Sequence, residues 1–189
     1  MVERLVRAGR QVLVDDGFDR FSTNRVAQAA GVSPGSLYQY FPDKQAVLEV
    51  IVDRYWEETS DRVVSALGDR LAGGTAAERV RAVVDSLVAA LEADSAMLRV
   101  VHDELPVSAV RDRRDALERR VRELTVAALA IEAAGRGVRS DDRAAWLVVI
   151  AVEALAVRWV LDQPGGLDRG RFVDELATLV TGYLETRRP

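Results

Sequence analysis

Apolar residues recur along this chain at helical spacing. Leu5, Ala8, Gly9, Val12 and Leu13 mark one face of a first helix, about Val2–Asp16. Val47, Leu48, Ile51, Tyr55, Trp56, Val63 and Leu67 keep the period through a long fourth helix, Lys44 to about Leu67. A loop, Gly68–Thr75 with Gly73-Gly74, follows. Thr75 and Glu78 form a capping box for helix 5, Ala76–Glu92, and Asp94 or Ser95 starts helix 6, Ala96–Glu104, which stops before Pro106. Helix 7, Val107–Ala134, turns Val110, Leu117, Val121, Leu124 and Ala128 inward and ends at Gly135-Arg136-Gly137. Helix 8, about Asp142–Asp162, is apolar on every side from Ala144 to Val157 except at Glu153, so it must be buried all round. After a turn at Gln163–Gly166, helix 9, Asp168–Thr186, carries Leu176, Leu179, Val180, Tyr183 and Leu184 as its stripe.

Between helices 1 and 4 the punctuation is denser. In Ser22–Lys44, STNRVAQAAGVSPGSLYQYFPDK, Ser22 caps a short helix whose core side is Val26, Ala27 and Ala30. Gly31 supplies a left-handed stop, Val32 tucks under the turn, Ser33 caps the next helix and Pro34 occupies its first position without costing a hydrogen bond. Leu37 and Phe41 give that helix a buried side; Gly35, Ser36, Tyr38, Gln39 and Tyr40 lie opposite. The pattern is a helix-turn-helix, whose second helix enters the major groove of DNA.

Composition narrows the classes. With 49% hydrophobic and 30% charged residues, the chain has the make-up of a soluble globular protein. It has no Cys, which excludes disulfides and thiolate metal sites, and its single His, His102, argues against a transition-metal centre. No apolar run reaches spanning length, and MVERLVRAGR is amphipathic rather than signal-like, so the expected place is the cytoplasm with no membrane partner. The net charge of −4 does not advertise nucleic-acid binding, but Arg20–Lys44 holds three bases, Arg20, Arg25 and Lys44, against one acid, Asp43. The run RDRRDALERRVRE of helix 7 reads either as a solvated face with acid-first pairs or as a second nucleic-acid patch.

Over Leu5–Leu48 the order of these features resembles the tetracycline-repressor (TetR) family of bacterial regulators: a helix, the Gly17-Phe18 stop, the AAGVS turn, the SLYQYF helix and the PDKQAVL start of a fourth helix. The resemblance implies an all-α fold of about nine helices. An N-terminal three-helix helix-turn-helix DNA-binding domain would occupy residues 1-52, and a C-terminal helical ligand-binding and dimerisation domain residues 53-189. It also implies a homodimer on double-stranded operator DNA, its binding relieved by a small-molecule effector. By position in the motif, Thr23, Ser33, Tyr38, Tyr40 and Lys44 are expected on phosphates. Asn24, Gly35, Ser36 and Gln39 are expected to read bases, Asn and Gln by pairing with adenine and Gly35 by allowing close approach. Arg25 is either a phosphate contact or a salt-bridge partner.

An inducible regulator needs a cavity among helices 4 to 8. Trp56, Val84, Leu87, Met97, Val101, His102, Leu117, Val121, Trp146 and Ile150 are its candidate lining, each alternatively plain core, and they favour an apolar or aromatic ligand. A mobile helix 6 would pass the ligand's arrival to helix 4. Relatives dimerise through their last two helices, and an all-apolar helix 8 asks for the same; Val149, Val152, Glu153, Ala156, Leu176, Leu179, Val180 and Tyr183 are the expected interface. Glu153 needs a partner, an Arg across that interface or a ligand donor. No cofactor, metal or catalytic residue is expected. The competing readings are a dimeric binding protein that does not grip DNA and, with no clustered carboxylates or phosphate loop, a helical enzyme.

Overall fold

The computed structural model describes residues 1–70, 75–134 and 142–186. Gly73-Gly74 and Gly135-Arg136-Gly137, expected as breaks, lie outside these residues, as do the side chains of Leu67 and Ala128. The described residues are all-α: α1 Val2–Asp16, α2 Thr23–Ala29, α3 Pro34–Tyr38, α4 Lys44–Arg70, α5 Ala76–Glu92, α6 Ser95–Arg99, α7 Val107–Ala134, α8 Asp142–Asp162 and α9 Arg169–Thr186. A single 3₁₀ turn, Phe18–Arg20, follows α1, and a π-helical turn, Val100–Glu104, follows α6. Contacts divide the chain into two compact units. The first joins Met1–Glu58 to Asp94–Arg114; the second joins Thr59–Ala93 to the residues from Asp115 onward.

In the first unit, Leu5, Leu13, Val26, Leu37, Val47, Leu48 and Ile51 form a fully covered core. Gly9 has a reason within it. A Cβ at Gly9 would stand 2.8 Å from Ile51 Cδ1 and 3.2 Å from Val47 Cγ1, so an alanine there requires the buried Ile51 and Val47 side chains of α4 to shift. The propensity cost of about 1 kcal/mol for a helical glycine is offset by that packing. Ion pairs fasten the outside. Arg54 binds the Glu3 carboxylate, Arg113 binds Asp53 and Arg10 binds Asp94.

In the second unit α5 packs along α9 and against α8. Arg169 joins α9 to α5 through Asp85 Oδ1 at 2.6 Å and Glu92 Oε2 at 2.8 Å, and Arg81 pairs with Asp174 at 2.6 Å. The hydrogen bond to Glu92, then that to Asp85, raises the Arg169 pKa above the usual arginine value. A smaller cluster gathers Val63 and Ala90 with Val83, Leu87, Val121 and Leu124. Trp159 stacks on Phe172, ring centroids 5.0 Å apart.

Four sequence expectations change. The fourth helix does not end near Leu67 but continues through Gly68 to Arg70. The expected helix 6 is half α and half π: Leu105 N–H closes the turn on the Val100 carbonyl at 3.0 Å. The third helix stops at Tyr38, because Phe41 precedes Pro42 and is disfavoured from continuing it; Tyr40 and Phe41 both donate back to the Leu37 carbonyl, at 2.9 and 3.0 Å, which returns the Phe41 ring to the core. Finally, α8 keeps its expected limits but overturns two readings of it, that no apolar run reaches spanning length and that it is buried all round. Its Arg143–Asp162 stretch, mean hydropathy 2.0, is long and apolar enough to cross a membrane by length and composition. With Ala144, Ala145, Val149, Val152, Ala156, Val157, Trp159 and Val160 packed inside the unit, it is a core helix, though not one buried all round.

Candidate nucleic-acid interface

Local chemistry builds the reading element. Ser22 Oγ accepts from the Arg25 N–H at 3.3 Å and starts α2. Gly31 stands at φ 63°, in the left-handed region that favours glycine. Its N–H donates to the Gln28 carbonyl and the Val32 N–H to the Ala27 carbonyl, both at 3.0 Å, a Schellman closure. Ser33 Oγ accepts from the Ser36 N–H at 3.1 Å and lies 2.9 Å from Ser36 Oγ, so the two hydroxyls share a hydrogen. Leu37 is fully buried beneath.

The opposite side stands in solvent. Tyr38 and Tyr40 are 51% and 46% exposed. The Tyr38 hydroxyl lies 3.1 Å from Thr23 Oγ1, a hydrogen bond that ties the end of α3 to the start of α2. Asn24 and Gln39 are exposed, while Gln39 and Tyr40 sit on the turn after α3 rather than within it. A Cβ on Gly35 would meet nothing nearer than Ser33 Oγ at 3.8 Å, so no internal contact demands glycine there.

The cations divide. Arg25 Nη1 pairs with Asp16 Oδ2 at 2.5 Å, and Arg20 Nε donates to the Asp16 carbonyl at 2.8 Å, so the C-terminus of α1 holds both. Lys44 is exposed at the start of α4, where Asp43 Oδ1 caps the Ala46 N–H at 2.8 Å. Its Nζ stands 5.3 Å from the centroid of the Phe18 ring, within cation–π range. Asp16, Phe18 and, behind them, Glu104 are members of this surface that sequence reasoning missed. Only the i,i+4 spacing of Asp16 and Arg20 hinted at any of them.

The expected ligand lining falls in both units. Trp56, Met97, Val101 and His102 belong to the first. Met97 and Val101 are buried; the Trp56 indole N–H is buried without a protein acceptor. His102 does not line a cavity: it is exposed, its Nδ1 2.8 Å from Asp103 Oδ1, because the π turn points it outward. Val84, Leu87, Leu117, Val121, Trp146 and Ile150 belong to the second unit. Val84 is buried, and Leu87, Leu117, Val121 and Ile150 are half-buried. Trp146, 44% exposed, stands with Leu147, Arg122 and Arg143 around an open groove of about 340 Å³.

Of the expected partner-facing side chains, Val149, Val152, Ala156, Leu176 and Val180 are covered by their own unit, so a second copy would meet at most their edges. Glu153 and Tyr183 are half-buried, and Leu179 is 54% exposed. The large apolar side chains left uncovered on α8 and α9 are Trp146, Leu147, Leu155 and Leu179.

Comparison with known proteins bears on both units. Residues 5–51 match the model of the bacterial regulatory proteins of the tetR family, and residues 75–184 match the tetracyclin repressor-like C-terminal domain. An HTH-type transcriptional regulator of Mycobacterium tuberculosis is 26% identical over 184 residues, 96% of this chain and 93% of that one. Among solved structures, the fatty acid degradation regulator FadR of Bacillus halodurans superposes with a TM-score of 0.69 at 21% identity, covering 96% of this chain and 94% of its own. FadR of Bacillus subtilis, solved in complex with stearoyl-CoA, gives 0.65 at 19% identity over 98% and 96%. The geometry of the reading element and these matches agree: the chain belongs to the TetR family, whose members are DNA-binding transcriptional regulators.

Proposed function

We propose that the chain is a cytoplasmic homodimeric repressor, released from a pseudo-palindromic operator when its C-terminal domain binds a small apolar or aromatic ligand. The observation that carries the DNA half is the solvent-facing side of α2 and α3, where Asn24, Gly35 and Gln39 stand free of internal packing demands beside Tyr38, Tyr40 and Lys44. Asn24 and Gln39 read bases, and Gly35 gives the duplex clearance. Tyr38, held by Thr23, and Lys44 take phosphates. Ser33 and Ser36 spend their hydroxyls on each other, so their contribution is the shape of α3. Arg25 is a bridge partner of Asp16 first, and reaches DNA only by leaving it.

Dimerisation uses the uncovered face of α8 and α9 around Leu155 and Leu179. The ligand half draws support from the buried Trp56 donor, which lacks an acceptor, and from the stearoyl-CoA bound by the Bacillus subtilis regulator, the first compound to test. The ligand is bound, not turned over. Mobility shift on the DNA upstream of the chain's own gene tests the placement. Tyr38→Ala and Lys44→Ala each weaken binding, and Lys44→Ala lowers the salt slope by about one. Wild-type affinity in both variants rejects it.

A further inference from the structure

Lys44 is the chain's only lysine, and no carboxylate stands within ion-pair distance of it among the described residues. What holds it is the face of Phe18, a half-buried ring on the 3₁₀ turn after α1. That turn is itself held from elsewhere in the sequence. The Phe18 N–H donates to Glu104 Oε2 at 2.8 Å. Gly17, at φ 80°, is the residue that admits the carboxylate, since a Cβ there would stand 2.9 Å from the same oxygen. Glu104 ends the π-helical turn Val100–Glu104, and π turns are a backbone form concentrated at functional positions. Arg10, on the same helix α1, holds Asp94, the residue that caps α6. Thus α6 and its π turn are tied at both ends to α1 and the turn that follows it.

We infer that Phe18 positions Lys44 for DNA, that Glu104 holds Phe18 in place, and that the Val100–Glu104 turn is therefore a control point for operator affinity. The inference rests on the reading of Lys44 as a phosphate contact. A lysine side chain has several staggered rotamers available; a ring face below it removes most of them before DNA arrives. When the π turn shifts, the Glu104 carboxylate leaves the Phe18 amide, the ring moves, and Lys44 regains its freedom. Phe18 and Glu104 touch no DNA in this account. They are positioning residues.

A single lysine makes the test clean. Reductive ¹³C-methylation of the full chain labels one side chain, Lys44, together with the N-terminal amine. In the wild type the Lys44 methyl resonance is displaced by the ring current of Phe18. Phe18→Leu returns it to the free-lysine position, Glu104→Ala moves it in the same direction, and Glu104→Gln, which keeps an acceptor oxygen, restores it. Binding is then measured on unmethylated protein with a duplex selected by the wild type from a random pool. A cation–π contact of about 0.5–1 kcal/mol corresponds to a roughly two- to fivefold loss of affinity in Phe18→Leu. Glu104→Ala falls in the same range, and neither adds to the loss in Lys44→Ala. Full additivity in the double variants overturns the inference while leaving Lys44 as a DNA contact; so does a Glu104→Ala resonance unmoved from wild type. Unchanged affinity in Lys44→Ala alone overturns the underlying phosphate reading, a separate result.

Discussion

The two units finish their surfaces differently. In the first, the apolar side chains are enclosed except for Met1, Val2 and Val107 at the starts of α1 and α7, and the large rings left in solvent, Tyr38 and Tyr40, each carry a hydroxyl. Its outer joints are polar: Glu3 with Arg54, Asp53 with Arg113, Asp94 with Arg10 and Glu104 with the Phe18 amide. The second unit has its own joints at Arg169 and Arg81, yet leaves Trp146, Leu147, Leu155 and Leu179 in solvent. A hydroxyl-bearing ring in water is at ease with a wet, charged partner, whereas an exposed leucine is stabilised only by being covered. The contrast fits the proposed assignment of the first surface to a polymer of phosphates and of the second to another copy of the chain.

The largest effect comes from spoiling the second surface. Leu155→Asp with Leu179→Asp costs the isolated protomer little, since both sites are exposed, but places charges in a desolvated interface. Sedimentation equilibrium then shows a monomer, and operator affinity falls by about a hundredfold or more as the second reading head is lost. A dimer persisting in this variant ends the assignment of that face. Next is the enclosed core of the first unit. Gly9→Val forces methyls against Ile51 and Val47 and lowers stability by about 1–3 kcal/mol in denaturant titration. An unchanged midpoint would mean that the close approach of α1 to α4 is not what requires glycine.

The smallest effect concerns the polar joints. The hydrogen bond from Arg54, with its charge adding to it, holds the Glu3 carboxyl below the ordinary carboxylate value. Its stabilisation is complete above that ordinary value and is lost as pH falls through the lowered one. The melting temperatures of wild type and Glu3→Gln should therefore differ slightly at neutral pH and converge on acidification. A gap that widens toward low pH has the wrong sign for this bridge.

What could be read in advance was what neighbours in sequence decide. Ser22, Gly31, Ser33 with Pro34, and Thr75 with Glu78 each act within a few residues, and each cap forms. The limits of α1, α5, α7 and α8 followed from period and punctuation in the same way. What escaped depends on residues brought together by folding. No local pattern joins Glu104 to Phe18 across 86 positions, or Arg10 to Asp94 across 84. Helical spacing alone could not show that Val100–Glu104 winds more loosely than an α-helix, nor which side of α8 its own unit would claim. His102 looked notable for its rarity, but rarity in composition says nothing about orientation.

The brevity of α3 has a kinetic consequence. Five residues are too few to persist as a helix in water, since the cost of nucleation falls on barely one turn. Its form is borrowed from Ser33, from the Schellman turn before it and from Leu37 locked in the core. Such a segment has no stable half-folded state of its own. Its amides should exchange with deuterium together with those of the surrounding core, not ahead of them. Encounter with DNA then includes no folding step: the protein scans a duplex with a surface already set, and the time it spends at each site is governed by contact alone.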